Sequence, residues 1–380
     1  MGNEDHKTLG IVITGGGTGG HLFPGIAVAR EFQARVPDAR ILFLGTGKAV
    51  EISVLAREGF DHRVIAASGF KGMGMLGKMN ALVALPRGIA GAHGILSAFG
   101  PDLVIGVGSY SAGPVAVAAR LRGIPVVLHE QNAIPGLTNR LLAHLAQRIY
   151  ISLPASGGHF PPGKTRLTGN PVRPELLDDA QGPSVQQSGE RPFTVLVAGG
   201  SQGAHAINQA VIDLLPLIDD PGTLAFIHQT GETDESPVKR AYRQHGVAAE
   251  VAAFFSDMGK RYRQADLVVC RAGATTTAEL ACLGKPSVLI PYPHAADNHQ
   301  EHNAMGLVAA EAAEMVREAD LTPEGLWACI QRYRSTPERL AAMSAKAKAL
   351  GNPKAAVLIV SDCLDLIRKR HRTSTSAGGS

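Results

Sequence analysis

The chain has 380 residues, 45% of them hydrophobic but only 5% aromatic, with 44 glycines and a net charge of +4. That length suits two domains, each large enough to bury its own core. Four scattered cysteines, Cys270, Cys282, Cys329 and Cys363, contain no Cys-x-x-Cys pair, which argues against a disulfide framework or zinc ribbon and for a reducing compartment. The polar start MGNEDHKTLG has no signal-peptide pattern, and the uncharged run from Leu103 to Ala119 is broken by Gly106, Gly108, Gly113 and Pro114, so it reads as strand, loop and helix rather than a membrane span.

In chain order, short apolar runs predict strands at Leu9–Thr14, Ile41–Gly45, Arg63–Ala66, Leu103–Val107, Val126–His129 and Arg148–Ile151, with helical periodicity between them at Ile26–Arg35 and Val115–Arg122. Alternation of this kind implies a parallel sheet with right-handed crossovers. The polar, aperiodic segment 178–192 reads as a linker. The pattern then restarts with a strand at Phe193–Ala198, a helix near Ala204–Leu217, and strands at Leu224–His228, Leu267–Cys270 and Pro286–Ile290. The expected organisation is α/β. A Rossmann-like, doubly wound domain over 1–177 is joined by a final helix near 353–369, and a second such domain spans 193–350, the two sharing a cleft. The tail 370–380 is expected to be disordered.

The two halves open alike. IVITGGGTGGH (Ile11–His21) aligns without gaps on VLVAGGSQGAH (Val195–His205). A glycine turn between strand and helix lets backbone amides approach phosphate at the positive helix end. Gly15, Gly17 and Gly20 satisfy the dinucleotide fingerprint, but the second strand ends Leu44-Gly45-Thr46, without the acid that would hold an adenine ribose. A P-loop is excluded because no Gly-Lys-Ser/Thr follows either turn. The chain has no Asp-x-Asp, so charge on a diphosphate is expected to be met by helix ends and basic side chains, with no metal. The irregular spacing of His294, Asp297, His299 and His302 matches no ligand motif.

GGGTGGHLFPGIAVA, GSYSAGP (108–114), HEQN (129–132), GNPVR (169–173), GGSQGA (199–204), HQTG (228–231), CRAGATTTAE (270–279) and the stretch 297–304 together resemble the MurG family, in that family's order. The resemblance implies two Rossmann-like domains of the GT-B type and an inverting transfer of N-acetylglucosamine. The donor is UDP-GlcNAc and the acceptor undecaprenyl-diphosphate-linked muramyl-pentapeptide (lipid I), which becomes lipid II. The enzyme is expected to be peripheral, at the cytoplasmic face of the cell membrane, and nothing suggests a nucleic-acid partner. By position within the motifs, substrate contacts are expected at Thr18, Gly19, Gly20, Asn132, Arg173, Ser201, Phe255, Ala274, Thr275, Thr276, Thr277, Ala278, Glu279 and Gln300, with Tyr110 positioning the acceptor.

Chemistry leaves several of these roles open. Thr276-x-x-Glu279 is also a capping-box pattern, and Glu279 one turn into a helix would suit two ribose hydroxyls. Two residues are candidates for the general base. His21 stands at the start of a helix, where the protonated imidazole is disfavoured, and Glu130 stands at a strand's C-terminal end, where site residues collect. Each has an ordinary structural reading as well, the one as a loop cap and the other as a loop anchor.

Between Asp61 and Asp102 there is no acid, while Arg63, Lys71, Lys78 and Arg87 punctuate a stretch whose apolar residues include Phe70, Leu76, Met79, Leu82, Leu85 and Phe99. An anionic membrane surface is the partner expected there, with a solvated basic rim as the plainer alternative. Rival functions are a glycolipid synthase of the same fold with a diacylglycerol acceptor, an NAD-dependent oxidoreductase, and a non-catalytic sugar-nucleotide-binding subunit.

Overall fold

The computed structural model describes residues 8–16, 19–65, 75–181, 191–200 and 202–377. The chain forms two compact units, residues 1–171 with 354–380, and residues 172–353.

In the first unit the strands are β1 (Gly10–Thr14), β2 (Arg40–Gly45), β3 (Asp61–Val64), β4 (Leu103–Gly106), β5 (Val126–Glu130), β6 (Arg148–Ile151) and β7 (Thr165–Leu167). Helices α1 (Gly19–Arg35), α2 (Ala49–Arg57), α3 (Met75–Phe99), α4 (Ala112–Leu121) and α5 (Leu137–Leu142) connect them. All strands pair in parallel, in the order β3-β2-β1-β4-β5-β6-β7. The central strands β1 and β4 are buried along their whole length, which explains their Ile/Val/Leu-rich composition: helices cover both faces of a parallel sheet.

Helix α1 begins before the expected start at Ile26 and runs through Pro24. Leu22, Pro24 and Ile26 are all buried, so packing of this first stretch outweighs the hydrogen bond that proline removes. The result places His21 in the first turn of α1.

The second unit contains α6 (Pro174–Gln181), β8 (Phe193–Ala198), α7 (His205–Leu214), β9 (Leu224–Gln229), α8 (Glu235–Gln244), β10 (Ala248–Ala252) and α9 (Met258–Gln264). There follow β11 (Leu267–Cys270), α10 (Ala274–Leu283), β12 (Ser287–Leu289), α11 (His299–Ala309), β13 (Glu314–Met315), α12 (Pro323–Ser335) and α13 (Pro337–Leu350). The parallel sheet runs β10-β9-β8-β11-β12-β13. The last helix, α14 (Ala355–Ala377), belongs to the first unit. Its Ile359, Val360, Cys363 and Ile367 share a core with Ile26 and Phe32 of α1.

Three boundaries differ from the expectation. Residues 172–177, read as first-domain, belong to the second unit, because Val172 and Leu176 bury against Phe255, Tyr262 and Ala272. The segment 178–181, read as linker, is the end of α6. Helix α14 continues past residue 369 to Ala377, with His371 Nε2 3.6 Å from Asp102. Helix α3 occupies much of the acid-free stretch, its Ala92 and Leu96 packing beside Val115 and Ala116 of α4. Phe70 and Lys71 lie outside the described residues.

Candidate active site

In the first unit the strand order reverses direction between β1 and β4, the place where open α/β sheets form a crevice at their carboxyl ends. Three loops meet there. Gly15 (φ 119°) leads out of β1, and a Cβ on it would lie 2.2 Å from the carbonyl oxygen of Gly108. Gly108 (φ 99°) leads out of β4, and a Cβ on it would lie 2.8 Å from His21 Nδ1. Both positions demand glycine, for conformation and for space. Ser109 takes φ 72°, uncommon for a residue with a side chain, and Tyr110 follows it half-buried. Gly19 and Gly20 open α1. Thr18 lies outside the described residues.

His21 is half-buried and its Nδ1 lies 3.2 Å from Gln131 Oε1. Burial holds its pKa below the ordinary imidazole value, against the hydrogen bonds to Gln131 and Val107. Gln131 itself donates from Nε2 to the Val107 carbonyl at 2.7 Å and reaches His129 Nδ1 at 3.1 Å. His129, pushed down to about 4 chiefly by burial, completes a row of polar groups across the ends of β4 and β5.

Glu130 points elsewhere. One carboxylate oxygen accepts from Asn132 N (3.0 Å) and Asn132 Nδ2 (3.3 Å), the other from Gly136 N (3.2 Å) and Asn139 Nδ2 (2.9 Å). Burial raises its pKa while these donors oppose the shift. Both oxygens are thus engaged in shaping the 131–136 loop, and Asn132 is positioned by that contact.

A carboxylate the sequence reading passed over also stands at the end of β2. Glu51, in the first turn of α2, accepts from Thr46 N (3.1 Å) and Thr46 Oγ1 (2.9 Å). It fills the space beside Gly16 and Gly45, where a Cβ would come within 2.6 and 1.4 Å of Oε1. At 2% exposure it braces the glycine turn and is not presented to a ribose. Only its helical position, six residues after the strand, hid it.

In the second unit the corresponding crevice lies between β8 and β11. Gly203 (φ 75°) passes so close to Thr230 that a Cβ would meet its carbonyl oxygen at 2.0 Å. Gln229 links the loops there, donating from Nε2 to the Gly200 carbonyl (3.0 Å) and accepting at Oε1 from Phe255 N (2.9 Å). Ser201 lies outside the described residues. Phe255, expected among the substrate contacts, has its ring in the core beneath the Arg261 guanidinium, 4.5 Å from the centroid.

Helix α10 starts at Ala274 with Gly273 as N-cap and no side-chain cap. Thr276 is therefore already inside the helix, and the capping-box pattern is out of register. Thr277 Oγ1 bonds back to the carbonyls of Gly273 and Ala274, at 3.2 and 3.1 Å. Ala274, Thr275 and Thr276 are half-buried at the helix start, and Ala278 packs against the core. Arg173 and Glu279, expected as separate contacts, are brought together: Arg173 Nη2 lies 3.5 Å from Glu279 Oε1, and Tyr262 OH donates to Oε2 at 3.1 Å. Burial raises the Glu279 pKa, and the Arg173 charge opposes it.

Gln300 accepts at Oε1 from Tyr292 N at 3.0 Å. It follows a turn in which Asp297 and Asn298 are both left-handed, φ 54° and 50°. No group of three or more His, Cys, Asp or Glu side chains able to hold a metal occurs among the described residues. The repeated histidine has diverged: His205 is exposed and pairs with Asp234 (3.0 Å), whereas His21 is enclosed by Gly108 and Gln131.

Two family models match the chain, the glycosyltransferase family 28 N-terminal domain over residues 11–151 and the C-terminal domain over residues 194–359. The chain is 46% identical over 360 residues (94% of its length, 99% of the relative's) to a protein of Geobacter sulfurreducens, and 45% identical over 358 residues (94% and 93%) to one of Myxococcus xanthus. Both are named UDP-N-acetylglucosamine–N-acetylmuramyl-(pentapeptide) pyrophosphoryl-undecaprenol N-acetylglucosamine transferase. Among solved structures, Acinetobacter baumannii MurG superposes with a TM-score of 0.73 at 30% identity, covering 95% of this chain and 99% of that one. With both halves of the family model in order and relatives matched along nearly its whole length, the chain belongs to glycosyltransferase family 28, among its MurG-type N-acetylglucosaminyltransferases.

Proposed function

We propose that the protein moves N-acetylglucosamine from UDP-GlcNAc to the muramyl sugar of undecaprenyl-diphosphate-linked muramyl-pentapeptide, turning lipid I into lipid II with inversion at the anomeric carbon. The donor and acceptor follow from the names of relatives that match 94% of the chain. The observation that carries the chemistry is His21 in the first turn of α1, its Nδ1 facing Gln131 Oε1 and burial holding its pKa below the ordinary imidazole value.

In this reading the acceptor hydroxyl oxygen attacks the anomeric carbon and gives its proton to His21 Nε2. The bond from that carbon to the diphosphate oxygen breaks, and UDP leaves with the electron pair. Glu130 serves in this reading as an anchor, because four donors of the following loop and of α5 engage both its oxygens. The donor occupies the second unit, where the N-terminal amides of α10 face negative charge and Glu279, held by Arg173 and Tyr262, addresses the ribose. The acceptor diphosphate is taken by the glycine turn before α1.

No helix among the described residues is long and apolar enough to cross a membrane. The acid-free stretch 62–101, with Arg87 exposed on α3, favours peripheral binding to anionic lipid at the cytoplasmic face, and no metal is required in this reading.

The test is transfer of radiolabelled GlcNAc from UDP-GlcNAc to a short-chain lipid I analogue in EDTA, beside Glu279→Ala. Turnover that survives EDTA and collapses in the variant is expected. UDP-GlcNAc binding without transfer would overturn the acceptor assignment. Sedimentation with anionic but not zwitterionic vesicles checks the membrane reading.

A further inference from the structure

We infer that Gln131 sets the tautomer of His21, leaving the proton on Nδ1 and the lone pair on Nε2. The argument starts from an atom whose identity is forced. One end of the Gln131 carboxamide lies 2.7 Å from the Val107 carbonyl oxygen. A carbonyl oxygen only accepts, so this end is the nitrogen and the amide has one possible orientation. Its second N–H faces His129 Nδ1 at 3.1 Å, so that ring nitrogen accepts. His129 then carries its proton on Nε2, which lies 3.3 Å from Ser152 Oγ.

The other end of the amide, Oε1, faces His21 Nδ1 at 3.2 Å. Oxygen cannot donate, so Nδ1 must, and a neutral imidazole has only one N–H. The ring can sit there only because residue 108 is glycine, since a Cβ would lie 2.8 Å from Nδ1. An imidazole without these neighbours divides its proton between both nitrogens. Gln131 is thus a positioning residue, and His129 acts one step further back by accepting the second amide N–H. As proton transfer proceeds, Nδ1–H remains donated to Gln131 Oε1. The inference rests on His21 being the base only for its catalytic consequence; the tautomer itself is fixed by geometry within one unit.

Nitrogen-detected long-range correlation spectra of the full chain, labelled with 15N-histidine and with His21 assigned by loss of its signals in His21→Asn, read the tautomer directly. The wild type is expected to show His21 protonated at Nδ1 and unprotonated at Nε2 at neutral pH. Gln131→Met, close in shape but without amide atoms, is expected to move His21 toward a mixture with the Nε2–H form. It should lower kcat by about tenfold, one hydrogen bond's net contribution, and leave KM for UDP-GlcNAc unchanged. An Nε2–H wild type, or a Gln131→Met spectrum identical to it, would overturn the inference. If Gln131→Met loses the calorimetric unfolding transition of the first unit and so is misfolded, the wild-type spectrum alone decides. Full turnover by His21→Asn would remove the base assignment in the proposed function without altering what that spectrum says about Gln131.

Discussion

Replacing Glu130 by glutamine separates the two candidate bases. The carboxylate holds the loop after β5 through two oxygens, each accepting two bonds. An amide retains one oxygen, so whichever way it turns, two N–H donors lose their acceptor and face an NH2 group instead. Hydrogen bonds to a charged group contribute about 1.5–3 kcal/mol each, and unmade buried donors retain their desolvation cost. The loss of two therefore destabilises the first unit by at least about 3 kcal/mol. At about 2–4 °C per kcal/mol for a domain of this size, Tm of that unit falls by about 6 °C or more. Differential scanning calorimetry with and without UDP-GlcNAc assigns the transition to a unit, because a ligand of the second unit raises only that unit's Tm. Activity is expected to fall alongside stability and to recover in part on cooling. A Glu130→Gln protein with unchanged Tm and kcat reduced about a thousandfold would refute the anchoring argument and make Glu130 the base.

Gly108→Ala places a Cβ 2.8 Å from His21 Nδ1 at a φ of 99°; transfer should fall at least about tenfold while UDP-GlcNAc binding by calorimetry is retained, and wild-type kcat would contradict the close approach. Acid should destabilise both units. Burial lowers His129 to about 4 and His228 to about 3 from 6.5, so the unfolded chain binds more protons below 6.5, and stability present above that value is lost progressively as pH falls from 6.5 toward the folded pKa. Each residue then costs its unit about 2 kcal/mol by pH 5, visible as a lower urea midpoint than at pH 7.5; equal midpoints would show that these imidazoles are not held neutral. Glu51→Ala removes the acceptor of Thr46 N and Oγ1 and frees the glycine turn, and KM for the lipid acceptor should rise about tenfold with KM for UDP-GlcNAc unchanged. The opposite pattern would mean that the two glycine turns serve the opposite substrates.

The central strands, the two glycine turns and the family motifs were legible from residue type and spacing, because a strand between two helical layers is mostly apolar and a turn that admits no Cβ must be glycine, whereas the short, poorly buried β7, β10 and β13 carried no such signal. Motif spacing also marked His21, Glu130, Arg173 and Glu279. Tertiary structure decided what they touch. That Glu130 is consumed by Asn132, Gly136 and Asn139, that Arg173 and Glu279 form one pair, and that Phe255 belongs to the core depend on which side chains fold back upon them. The same holds for Glu51, which reaches β2 from a helix, and for Gln131, which is one letter of a motif until Val107 fixes its amide. The aligned histidines make the contrast clearest. His21 and His205 follow matching glycine turns, yet one is enclosed over Gly108 and the other lies exposed beside Asp234. Sequence periodicity specifies where the backbone goes, whereas a side chain's protonation and partners are set by groups that only folding brings within hydrogen-bonding distance.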